Sequence, residues 1–243
     1  MSDSREGQTL KVGPRRSVLA VILARGGSKG IPRKNLRHVG GKTLLQRSIE
    51  ACHSASTVDD VVVSTDDQEI ACEAERHRAQ VVERPEDLAG DLVSSESALK
   101  HAIEEWCRQS GHDYRAVALI QATSPFTTAT DIDRTMSPIL EGNADSTLSV
   151  VDDFGYFWFP EEGRGWGMRY QMRARRQDRG PWKRESGNLY GMRLKAFLET
   201  ENLFTGVVQP VTIPERNSLE IDEPLELFVA DRICEYLIEE ENS

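Results

Sequence analysis

Val18-Leu19-Ala20-Val21-Ile22-Leu23, followed at once by Ala24-Arg25-Gly26-Gly27-Ser28-Lys29-Gly30-Ile31-Pro32-Arg33-Lys34-Asn35, decides the fold. An unbroken apolar run with no polar alternation describes a strand buried on both faces, as in a parallel sheet covered by helices. A loop directly after such a strand lies at the carboxyl edge of the sheet, where open α/β folds bind their ligands. This one gathers glycine amides with Arg25, Lys29, Arg33 and Lys34. Clustered N–H groups reinforced by cations favour a multiply charged anion such as a triphosphate. The loop is neither GxxxxGK[ST], because no Ser or Thr follows its lysines, nor GxGxxG, because its glycines are wrongly spaced. A glycine turn with solvated charges is the competing account. It explains the glycines, but not four cations beside Pro32 and Asn35.

Working outward, the chain alternates between strand and helix patterns. Leu45, Ile49 and Cys52 fall at helical spacing within 43–54. A short strand at 61–63 runs into Ser64-Thr65-Asp66-Asp67, whose carboxylates suit the N-cap of the next helix, with Asp66 a second candidate near a metal. Helical patterns at 67–78 and 94–108 bracket a strand at 80–83. Another strand at 116–121 leads into Ala122-Thr123-Ser124-Pro125 and a helix from Ala129. Strands at 189–192 and 207–213 precede a closing helix with a stripe of Leu225, Phe228, Val229, Ile233, Tyr236 and Leu237. Alternation of this kind predicts an α/β fold, a mostly parallel sheet with helices on both faces.

Residues 152–184 break the rhythm. Aromatics crowd together (Phe154, Tyr156, Phe157, Trp158, Phe159), and between Arg164 and Arg184 eight Lys or Arg stand against one acid, Asp178. This reads as an insertion, suited either to an acidic ligand or to the acidic surface of a second subunit.

Composition excludes several classes. A formal net charge of −10 argues against a general nucleic-acid binder, which carries a basic excess. Cys52, Cys72, Cys107 and Cys234 have no CxxC spacing and read as reduced cytosolic thiols. No apolar run reaches membrane-spanning length. Residues 1–17 are polar with several arginines, lack a signal-peptide core, and are expected to form a disordered extension, with the protein in the cytoplasm. The five histidines lie outside the motifs, and no Ser, His or Cys arrangement suggests a covalent intermediate.

The glycine-rich loop at 23–35 resembles the signature of the acylneuraminate cytidylyltransferases, the CMP-N-acetylneuraminic acid synthetase family. VVVSTDD (61–67), ERPEDLAGDLVSSESAL (83–99), LIQATSPFTTATDID (119–133), RRQD (175–178), RESGNLY (184–190) and SLEIDEPLE (218–226) follow in that family's order. The resemblance thus extends over nearly the whole chain. It implies a Rossmann-like nucleotidyltransferase domain over 18–243, with a dimerisation arm at about 152–184 and a homodimer. It further implies transfer of CMP from CTP to an acidic 2-keto sugar, with Mg2+ and release of pyrophosphate.

Position by position, the resemblance places Arg25, Gly26, Gly27, Lys29, Lys34 and Asn35 around the CTP phosphates, with Arg25 and Lys34 catalytic. Arg84, Ser94 and Ser95 match positions near the cytidine and ribose. Gln121, Arg176, Gln177, Arg184, Gly187 and Asn188 match acceptor-binding positions. Glu220 and Asp222 stand where the family holds magnesium with Asp-x-Asp, and their i, i+2 spacing in an extended segment puts both carboxylates on one side. Three departures accompany the match. Glu220 replaces an aspartate, Ser186 stands where the family has Asn, and DDFGYFWF (152–159) replaces a His-Pro stretch. They cluster where the acceptor is read. The alternatives are a cytidylyltransferase for a shorter ulosonic acid or a phosphonate, or a non-catalytic nucleotide-binding protein that lost its metal site.

Overall fold

A computed structural model describes residues 16–90, 93–161, 163, 165–168 and 175–241. The predicted extension at 1–17 lies almost wholly outside them. Strand β1 (Arg16–Leu23) is central, and its alternate residues face opposite layers. Val18, Ala20 and Ile22 pack with Leu45, Ile49, Ile70, Ile132 and Met136 on one face. Leu19 and Val21 pack with Leu99, Ile103, Met192 and Phe197 on the other. Both sets are fully buried, which is why the run carries no polar alternation.

The remaining elements follow in chain order. The short strands β2 (His38–Val39) and β3 (Lys42–Thr43) form a hairpin before α1 (Leu44–Ser54). Then come β4 (Val58–Thr65), α2 (Gln68–Arg76), β5 (Gln80–Glu83), α3 (Ser95–Ser110) and β6 (Tyr114–Ile120). Next are α4 (Ala129–Leu140), β7 (Ser146–Asp153), β8 (Trp158–Glu161) and β9 (Gly165–Met168). The chain closes with β10 (Trp182–Arg193), α5 (Leu194–Thr200), β11 (Val208–Thr212) and α6 (Pro224–Glu241).

Seven strands make one sheet in the order β11-β7-β10-β6-β1-β4-β5. All run parallel except β10, which is antiparallel to both β6 and β7. Helices α1, α2 and α4 cover one face and α3 and α5 the other. The α/β fold with a mostly parallel sheet is therefore present. The loops after β1, β4, β5 and β6 all leave from the same edge. At that edge too the chain departs from the sheet after Asp153 and returns at Trp182, with the antiparallel β8–β9 pair between.

A third apolar cluster joins the glycine-rich loop to α6. Ile31, Val39, Leu44, Phe126, Ile221, Ala230 and Cys234 form it. Here the closing helix differs from its sequence pattern. Among its described side chains Ala230 and Cys234 are buried, with Leu227, Ile233 and Leu237 packed beside them, whereas Leu225, Phe228, Val229 and Tyr236 are exposed. The small pair lets the helix approach Gly40 closely, since a Cβ there would meet Cys234 Cβ at 2.8 Å. Packing at small residues turned four of the six stripe residues outward.

Candidate active site

Lys34 and Asp222, 188 positions apart, are brought together. Lys34 Nζ donates to Asp222 Oδ1 at 2.9 Å. The glycine-rich loop is seated on this segment so tightly that a Cβ at Gly30 would lie 2.3 Å from the Asp222 carbonyl oxygen. The buried Asn35 donates its amide to the Arg25 carbonyl at 3.1 Å, which ties the two ends of the loop together. Lys29 and Gly27 are exposed on it. Gly26 donates its N–H to Asp66 Oδ1 at 2.9 Å.

Ile221 is fully buried and its N–H donates to the Thr123 carbonyl at 2.9 Å. Glu220 and Asp222 therefore flank an anchored residue. Thr123 Oγ1 donates to Glu220 Oε1 at 3.3 Å. Burial, then the negative charge of Asp222, pushes the Glu220 carboxyl above the ordinary carboxylate range, against the bond from Thr123 and the charge of Lys34. β10 has a register shift between Glu185 and Tyr190, and within it Gly187 takes φ 76°. A Cβ at Gly187 would lie 2.8 Å from Glu220 Oε2, so glycine both permits this backbone and leaves room for the carboxylate.

Gln121, Arg184, Glu185, Gly187, Tyr190 and Glu220 share a cavity of about 700 Å3. Arg216 and Ser218 line it as well, and neither stood out in the sequence. Arg184 Nε pairs with Asp153 Oδ2 at 3.1 Å. Arg176 is outside this cavity but lines a smaller one of about 340 Å3 next to it, also reached by Arg184. There its guanidinium stacks 4.3 Å from the Phe154 ring centroid. Gln177 is exposed in a single helical turn beside it.

Asn188 is fully buried, and its amide donates to Thr127 Oγ1 at 2.8 Å and to the Asn217 carbonyl at 2.7 Å. Asn217 in turn donates to Asp131 Oδ2 at 2.7 Å, and Gln121 N–H donates to the Asn188 carbonyl at 2.9 Å. Asp131 also accepts from Thr128 in a capping box at the start of α4. This buried polar chain fixes the segment that leads into Glu220 to the helix start and to the end of β6. Of this chain, only the capping box has a local sequence signal, a Thr128 followed three residues later by Asp131.

Arg84 is buried against the end of β4. Its Nε and Nη2 donate to Ser64 Oγ at 3.1 Å and to the Ser64 carbonyl at 2.7 Å. Burial lowers its guanidinium from the ordinary value; Asp66 opposes that and Arg25 adds to it. Ser94 caps α3 by accepting from Ser97 N–H at 3.2 Å, and Ser95 begins that helix. Both hydroxyl-bearing residues are exposed.

A family model for cytidylyltransferases matches residues 19–158, more than half of the chain. The chain belongs to the cytidylyltransferase family. Among its relatives, N-acylneuraminate cytidylyltransferase A of Danio rerio is 31% identical over 96% of this chain. The chain spans only 54% of that protein, about half its length. The pseudaminic acid cytidylyltransferase of Campylobacter jejuni is 29% identical over 87% of this chain and 94% of its own length. In fold, this cytidylyltransferase matches a CMP-2-keto-3-deoxy-manno-octonic acid synthetase solved with CTP. That match has a TM-score of 0.64 at 14% identity, and covers 92% of this chain and 99% of the other.

Proposed function

We propose that this cytidylyltransferase transfers CMP from CTP to an acidic 2-keto sugar of the sialic acid or nonulosonate type, releasing pyrophosphate. The observation that carries the proposal is the meeting of the cationic glycine-rich loop, through Lys34, with the Glu220–Asp222 segment at the mouth of a polar cavity. One side suits a triphosphate and the other a divalent cation, so the phosphates belong between them.

The residues fit magnesium in one form only. Among the described residues no group of three or more His, Cys, Asp or Glu could cage a metal. Magnesium keeps several waters and is commonly held by one or two carboxylates with substrate phosphates supplying the rest. Glu220 and Asp222, two carboxylates on either side of the anchored Ile221, suit that open site. A bound magnesium ion would neutralise charge on the triphosphate.

Arg25 and Lys34 would bind the phosphates and stabilise charge as it moves onto the departing pyrophosphate. Arg84 braces the end of β4 near the cytidine side, with Ser94 and Ser95 at the start of α3 beside the ribose. The acceptor would enter the cavity of Gln121 and Arg184, with Arg176 and Gln177 at its outer edge and Asn188 as the internal brace. Its hydroxyl attacks the α-phosphorus in line with the leaving group, and the arginines orient its carboxylate through paired N–H donors.

We also place the protein in the cytoplasm as a homodimer. Its cysteines are free, and no helix among the described residues is long and apolar enough to cross a membrane. The β8–β9 pair exposes Trp158, Phe159 and Trp166, which a second copy would cover.

The deciding experiment measures pyrophosphate release from CTP and Mg2+ with N-acetylneuraminic, pseudaminic and diacetyllegionaminic acids and 2-keto-3-deoxy-manno-octonic acid. Turnover with a nine-carbon acid above that with the shorter sugar supports the proposal. Preference for the shorter sugar overturns the acceptor assignment, and absence of turnover with all four overturns the activity.

A further inference from the structure

One turn holds the glycine-rich loop at both ends. β1 and β4 are neighbours with Leu23 opposite Ser64, and Ala24 N–H donates to the Ser64 carbonyl at 3.0 Å. Beyond that bond the two chains separate, and Asp66-Asp67 lie alongside the loop. Asp66 Oδ1 takes the Gly26 N–H at 2.9 Å, at the loop's first turn. Asp67 accepts from Arg33 Nη2 at 3.1 Å, near the loop's end, while it caps α2 through the N–H groups of Glu69 and Ile70. Glu69 adds a second carboxylate to Arg33 at 2.9 Å.

The backbone shows why such a grip is needed. Arg33 sits at φ 56° and ψ 39°, a left-handed conformation that a non-glycine residue keeps only when its surroundings hold it. Gly26 passes so close to the turn that a Cβ there would lie 2.7 Å from Asp67 Oδ2. Arg84, bonded to Ser64, adds positive charge beside Asp66.

We propose that Asp66 and Asp67 are positioning residues that grip the two ends of loop 24–35 and preform it for the triphosphate. The proposal rests on the reading of that loop as the CTP site. It commits the Gly26 N–H to Asp66 and leaves phosphate contact to the cations and the remaining amides. Holding a loop in its bound shape lowers the ordering cost of binding, so the benefit appears in CTP affinity. Asp66 and Arg33 are exposed, and contacts of that kind contribute little to global stability.

The test uses the full chain with Asp66→Ala, Asp66→Asn and Asp67→Ser. Asparagine keeps an oxygen for the Gly26 N–H; serine keeps the helix cap, and Glu69→Gln is combined with it so that Arg33 loses both of its carboxylates. Asp66→Ala and the combined Asp67→Ser variant should raise KM for CTP about tenfold, the scale of one bond to a charged group, with acceptor KM and Tm near wild type. Asp66→Asn should stay near wild type. Amide hydrogen exchange across 24–35 without nucleotide should quicken in Asp66→Ala and in the Asp67→Ser variant but not in Asp66→Asn. Unchanged CTP KM or unchanged loop exchange in Asp66→Ala overturns the proposal. So does Asp66→Asn as impaired as Asp66→Ala, since charge rather than the hydrogen bond would then be what matters. If the wild-type chain binds no CTP, the functional reading falls, and the exchange comparison still decides whether the two carboxylates hold the loop.

Discussion

Lys34 Nζ and Asp222 Oδ1 stand 2.9 Å apart, joining the first loop of the sheet to the segment before its last helix. The pair contributes little to folding, because the Asp222 side chain is 63% exposed and surface ion pairs are worth about 0–1 kcal/mol. Its value is positional. Under the proposed function, Lys34 would turn to the triphosphate and Asp222 to the metal. Lys34→Ala and Asp222→Asn should therefore each lower kcat by about a hundredfold or more, while thermal unfolding shifts little. Steady-state kinetics and calorimetry on the same samples check this. A large loss of Tm with modest loss of rate would make the pair structural.

Glu220 responds to pH in the opposite sense to a salt-bridged carboxylate. Burial and the nearby Asp222 raise its folded value above the unfolded one. In metal-free protein its contribution to stability is fully present below the unfolded carboxyl pKa of about 4.3 and is lost as pH rises through the folded value. Glu220→Gln removes that loss. Its metal-free form should be more stable than wild type at pH 7, and the difference should vanish near pH 4. The same substitution should raise the metal concentration at which turnover is half-maximal. Calorimetry at the two pH values without metal reads the first effect; a variant less stable at pH 7 contradicts the electrostatic account.

The sequence made the sheet legible because β1 is an uninterrupted apolar run and its loop is unmistakably cationic. Burial on both faces leaves a one-dimensional mark. The placing of Glu220 and Asp222 on either side of one residue in extended chain needs only their spacing. Asn188, Asn217 and Asp131 left no such mark. Their bonds join segments as much as 86 positions apart, and each residue alone resembles an ordinary loop polar group. The outward face of α6 was misleading because Leu225, Phe228 and Tyr236 satisfy a helical stripe whichever way the helix turns. Cys234, fitting against Gly40, decided the rotation with Ala230 buried in the same cluster, a tertiary fact.

The four cysteines should separate sharply by reactivity. Burial pushes the Cys52 thiol up to about 12 and, with Asp113 nearby, that of Cys107 up to about 11. Cys234 is raised by burial too, against the Arg47 guanidinium that donates to its sulfur at 3.1 Å. Cys72 is exposed. A disulfide reagent at pH 8 should find one fast thiol in native protein and four after denaturation. Cys72→Ser should remove the fast phase; its survival would place the reactive group elsewhere.

The dimer has its own test in the β8–β9 pair. Trp158 is 57% exposed and Trp166 67% exposed, large apolar surfaces that water solvates poorly. Burying an aromatic side chain contributes roughly 1.5–3 kcal/mol, so covering both tryptophans on each of two subunits accounts for much of a stable association. Trp158→Ser with Trp166→Ser should shift sedimentation from dimer toward monomer while far-ultraviolet dichroism stays unchanged, because neither side chain belongs to the sheet's core. Acceptor KM measured at high and low protein concentration adds the functional side. If the arm completes the partner's sugar cavity, the double variant should lose acceptor affinity at every concentration and keep CTP affinity. Wild-type protein that sediments as a monomer at micromolar concentration and turns over normally would remove the dimer from the account.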